Sequence, residues 1–98
     1  MDKKYFAFKL IPPRPDFAQT MTDDERATMK AHSLYWRKQM ETGVMLIFGP
    51  VLDPSGTYGL GILTGSTYDE IKPLVEGDPA IGLCTYTCFP MLAVVPER

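Results

Sequence analysis

The chain holds one imidazole, that of His32, and it is the natural place to look for proton transfer near neutral pH. A histidine serves as general base when a carboxylate fixes its tautomer and stabilises the imidazolium that forms. Asp78, followed by Pro79, is the candidate carboxylate. Both residues also have a plainer reading, His32 as a partly buried helix residue and Asp78 as a local cap or turn residue. Arg14, inside Pro12-Pro-Arg-Pro15, is a candidate holder of a substrate carboxylate or else a solvated loop charge. Trp36 is a candidate substrate-stacking platform or else part of a core or interface. Cys84 and Cys88 lie four apart in a strand-like segment, about 13 Å and beyond disulfide reach, so they are expected to be buried structural thiols. A single histidine cannot assemble a metal or haem constellation with them, and neither a metal nor another cofactor is expected.

These residues must be positioned by a short chain. Ninety-eight residues suit a single domain, 1–98, and 45% apolar with 22% charged residues is an ordinary globular balance. Lys4 to Ile11 is aromatic and β-branched and stops against the prolines, which reads as a strand. Thr22-Asp-Asp-Glu25 fits a capping box, so a helix starts there and runs to about Thr42 with Gly43 as its stop. Val44 to Val51 and Thr57 to Thr64 are strands joined through the turn signal Asp53-Pro-Ser-Gly56, a hairpin. A short second helix capped by Ser66 or Thr67 runs to Glu76, with Pro73 bending or shortening it. Gly77-Asp-Pro-Ala ends that helix, and Leu83 to Val95 reads as a last long strand that Pro90 bends or confines to an edge.

The order β-α-β-β-α-β predicts a ferredoxin-like α+β fold, an antiparallel sheet with both helices on one face. In such a fold the proline loop, the start of the first helix, the hairpin turn and the 77–83 link gather at one end. His32 and Asp78 are therefore candidates to meet across 46 positions of sequence. On a helical wheel His32 shares a stripe with Met29, Trp36 and Met40, while Ala27, Ala31, Leu34 and Tyr35 form another. Either stripe can face the sheet. Gly59 and Gly61 fall inside a strand rather than between a strand and a helix N-terminus, so bulges or a close backbone approach fit better than a phosphate loop.

Strand alternation gives the sheet two apolar faces. The first strand sets Phe6, Phe8 and Leu10 against Tyr5, Ala7 and Ile11, and the second sets Val44, Leu46 and Phe48 against Met45, Ile47 and Val51. Two helices cannot cover both, so a second copy is expected to pack sheet to sheet, forming a homodimer around a barrel-like cavity for a small-molecule ligand. A net charge of −2 without a basic face argues against nucleic acid or an anionic membrane, and no apolar run approaches a bilayer span. A start without a signal-peptide pattern makes the cytoplasm the expected location.

Over almost its entire length the sequence resembles the YciI-like (YCII-related) family of small dimeric α+β-barrel proteins. The resemblance rests on His32 followed by Gly43, the hydrophobic strand into Gly49-Pro50, the turn from Asp53 to Gly56, and the Asp78-Pro79 pair. It implies a His–Asp active-site pair at His32 and Asp78, with a dehydrochlorinase-type elimination among the activities suggested for members. The proline-rich loop from Pro12 to Thr22 and the bulky Trp36 and Met40 depart from the family's usual look. Two functions follow as expectations. One is a cofactor-free lyase or isomerase acting on a small acidic or aromatic metabolite, with His32 as base. The other is a module that binds or senses a small molecule without turning it over. An RNA-binding sheet is disfavoured because Thr57-Tyr-Gly-Leu-Gly-Ile lacks basic and paired aromatic residues.

Overall fold

The computed structural model describes residues 3–97. The aromatic and β-branched start forms β1 (Lys4–Ile11), ended by the prolines. A short helix α1 (Phe17–Thr20) follows within the proline-rich loop, then α2 (Asp23–Glu41), β2 (Met45–Val51), β3 (Tyr58–Gly65), α3 (Tyr68–Glu76) and β4 (Thr85–Met91). The sheet order is β2-β3-β1-β4 with every neighbouring pair antiparallel, an open α+β arrangement consistent with the ferredoxin-like expectation.

Local chemistry fixes the helix ends. The Thr22 hydroxyl accepts from the Glu25 amide at 3.2 Å, and the Glu25 carboxylate accepts from the Thr22 amide at 2.9 Å, the capping box read from sequence. At the other end Gly43 turns the chain at φ +85°, a conformation open to glycine. In α3 the Glu70 carboxylate accepts from the Ser66 and Thr67 amides. The helix runs unshortened through Pro73 because Ile71 and Val75, both fully buried, bind it to the sheet.

The core lies on one face of the sheet. Phe6, Phe8 and Leu10 of β1 meet Trp36 of α2 and Ile71 and Val75 of α3, each at most 3% exposed. Burying one such side chain contributes about 1.5–3 kcal/mol. The stripe that faces the sheet is the one carrying His32 and Trp36, whereas Ala27, Ala31 and Leu34 are exposed.

Two strand expectations need correction. In β2, Met45 pairs with Leu63 and Ile47 with Ile62, so Leu46 is an extra residue, a bulge. The bulge switches the alternation: Met45 and Phe48 both lie on the helix side, and Ile47 points to the open side. The last strand is shorter than Leu83 to Val95. Pro79–Gly82 forms a 3₁₀ turn closed by Leu83 and Cys84 amides on the Ala80 carbonyl, and pairing with β1 runs out at Met91 opposite Tyr5.

Candidate functional site

Asp78 is placed by the end of α3. Gly77 passes so close to α2 that a Cβ on it would lie 2.7 Å from the Tyr35 hydroxyl, which donates to the Leu74 carbonyl at 2.7 Å. Burial pushes the Tyr35 phenol up, with the nearby Asp78 charge acting the same way. The next residue, Asp78, caps the 3₁₀ turn by accepting the Ala80 amide at 2.8 Å on Oδ1. The plain reading of Asp78 as a cap therefore describes a contact it makes.

It makes two more. Asp78 Oδ2 accepts the Trp36 indole N–H at 2.7 Å, and His32 Nδ1 stands 2.9 Å from Oδ1 and 2.8 Å from Oδ2. The carboxylate is only 3% exposed, and burial at that depth is tolerable because these donors surround it. An ionised carboxylate can only accept, and against it the imidazole donates from Nδ1 as the indole and amide N–H groups do. That leaves Nε2 uncommitted to the carboxylate. Among the described residues it has no partner and is not sealed from solvent, and the ring stands in the wall of a cavity.

The cavity holds about 280 Å³ and lies between the helices and the sheet. Its lining comes mainly from α1, α2 and the helix-facing side of the sheet, so it is a different space from the one expected between two stacked sheets. The reason is visible in the chain. His32 sits on the core-facing stripe of α2, with Asp78 reaching it from the end of α3, and β3 contributes Gly59 and Gly61 to the cavity lining. Met29, His32 and Ser33 form the roof, Phe48 meets the imidazole edge-on at 6.4 Å between centroids, and Phe17 and Met21 close one end.

Of the four residues singled out from sequence, three come together. Trp36 lies in the cavity wall, fully buried, with its ring 5.5 Å from Phe8 and its N–H committed to Asp78. Arg14 stands elsewhere. Its guanidinium donates to both Glu25 oxygens, at 3.0 and 2.7 Å, and to the Thr20 hydroxyl and carbonyl, both at 2.8 Å. It fastens α1 to the start of α2 and borders a separate recess with the hairpin turn. The Arg14 guanidinium and the Thr22 amide hold the Glu25 carboxyl down at about 2. Sequence reading missed Phe17, Met21 and Phe48; two large apolar residues, Phe17 and Met21, in the loop after the prolines were the available signal.

Cys84 and Cys88 are free thiols, and burial pushes Cys84 up to about 11 and Cys88 upward as well, away from nucleophilic use. Among the described residues no group of three or more His, Cys, Asp or Glu side chains is placed to hold a metal ion, and no helix is long and apolar enough to cross a membrane. Residues 6–92 match the family model described as the YCII-related domain. The comparison with curated proteins gives no match.

Proposed function

The chain belongs to the YCII-related family, and from that premise we propose a cofactor-independent proton-transfer enzyme with His32 as general base and Asp78 as its positioning partner. One observation carries the reading: a buried carboxylate, itself held by two further donors, takes Nδ1 and leaves Nε2 free among the described residues, on a ring that lines an apolar cavity. Such a base abstracts a proton from carbon beside an electron-withdrawing group. The C–H electron pair then either expels a leaving group on the adjacent carbon, an elimination, or takes the proton back from Nε2 at another carbon, an isomerisation. Asp78 stabilises the imidazolium meanwhile, and the apolar wall lowers the polarity around it. A positioned base of this kind contributes roughly 10²–10⁴-fold in rate. Among the described residues no Lys or Arg lines the cavity, so the aromatic half of the expected substrate class is better supported than the acidic half.

The test uses small uncharged carbon acids in D₂O with NMR detection of exchange or elimination. The native protein is expected to catalyse deuterium incorporation, with His32→Gln and Asp78→Asn each losing it by about a hundredfold or more. Equal rates in native protein and variants sink the mechanism. A second reading has its own support: Asp78 caps the 3₁₀ turn and anchors Trp36, a structural task that requires no catalysis. A non-catalytic binding or sensor module would take up ligand and return it unchanged, with the variants altering affinity alone.

A further inference from the structure

Glycine inside an inner strand forgoes side-chain packing, yet β3, which has neighbours on both sides, places Gly59 and Gly61 on its helix-facing side. The row Phe6, Leu63, Met45 is filled, with all three at most 2% exposed. The next two rows toward the hairpin are Phe8, Gly61, Phe48 and Leu10, Gly59, Pro50. Each lacks its middle side chain, and the two glycines line the cavity beside His32. Neighbours already lean into it: a Cβ on Gly61 would lie 2.8 Å from the Met45 methyl, and one on Gly59 would lie 3.3 Å from Leu10 Cβ.

We infer that Gly59 and Gly61 are specificity-determining residues that hollow out a slot for an uncharged aromatic ring beside the imidazole. The inference deepens the proposed function and rests on it for the role of His32. The floor is flat glycine backbone, the roof includes the thioether of Met29, and Phe48 stands at the imidazole edge, surroundings that favour an aromatic plane. Among the described residues no Asp, Glu, Lys or Arg lines the slot, which leaves a charged ligand without a counter-ion. At about 280 Å³ it sits at the small end of the roughly 300–1,000 Å³ common for ligand pockets, the size for one or two fused rings.

Phenol, indole and 2-naphthol, all uncharged at neutral pH, probe the slot by calorimetry and by the NMR shifts of the His32 ring. Native protein is expected to bind phenol and indole with shifts at His32. Gly59→Ala and Gly61→Ala are expected to weaken indole by about tenfold or more relative to phenol, and Met29→Ala to gain affinity for 2-naphthol. Folded glycine variants that bind all three probes as the native protein does, or saturation without any shift at His32, overturn the inference. Should neither glycine variant fold, unchanged 2-naphthol affinity in Met29→Ala overturns it instead. The two claims are read independently: deuterium exchange in His32→Gln reports on the base, and the phenol-to-indole selectivity of the glycine variants reports on the slot.

Discussion

Asp78 serves as turn cap, tryptophan anchor and histidine partner at once, and each task constrains the others. Because the carboxylate is buried, removing any donor leaves part of it unsatisfied. Trp36→Phe keeps most of the ring volume but deletes the N–H to Oδ2. It is expected to lower stability by about 1–3 kcal/mol, read from denaturant midpoints. It is also expected to broaden or shift the His32 Nδ1–H resonance, a change that a packing defect alone does not cause. An unaltered midpoint with an unaltered resonance would show that Asp78 does not depend on the indole. Sequence was enough to nominate His32 and Asp78, since an imidazole and a carboxylate are visible as letters. It did not disclose that Trp36 belongs to the same cluster, because an indole reads equally well as core, interface or platform.

At the scale of elements, the loop between β1 and α2 is organised by Arg14 and Glu25. One carboxylate closes the capping box and receives the guanidinium, so α1 and the start of α2 are tied at a single residue. The Glu25 carboxyl lies at about 2 in the folded chain against an ordinary 4.5. A lowered folded value means that the stabilisation is fully present above about 4.5 and is lost as pH falls through about 2. Glu25→Gln is therefore expected to be less stable than the native protein at neutral pH, with urea midpoints that converge as pH falls across that window. Midpoints separated by a constant interval from neutral pH to about 2 would contradict the assignment. The capping box was legible because it is local and depends on spacing three apart. The Arg14 contact and the bulge at Leu46 were not, because each is imposed by a partner remote in sequence.

The whole molecule leaves one sheet face open. Ile47 is 65% exposed and Phe89 64%, and register places both on the side opposite the helices, with Leu60, Ile11 and Met91 also exposed there. A face this apolar matches the original expectation of a second copy, which we propose as its occupant. Ile47→Lys combined with Phe89→Lys is expected to convert a dimer into a monomer, read by light scattering at micromolar concentration, while thermal unfolding remains cooperative. A native protein that scatters as a monomer would refute the proposal. The cavity lies on the other side of the sheet, so ring binding and dimerisation are expected to be separable.

Order and type of the main elements followed from residue patterns alone: the proline stop, the capping box, the hairpin turn signal and the apolar stripes are each written within a few neighbouring positions. The same patterns were enough to bring His32 and Asp78 to one neighbourhood, because connection order restricts which ends can meet. Tertiary structure decided the rest. It chose which stripe of α2 turns inward, shortened β4 where β1 ended, and set a cavity on the helix side of the sheet. It did so because a void is the difference between volumes supplied by several elements, and the two absent side chains of Gly59 and Gly61 acquire meaning only once β1, β2 and α2 surround them.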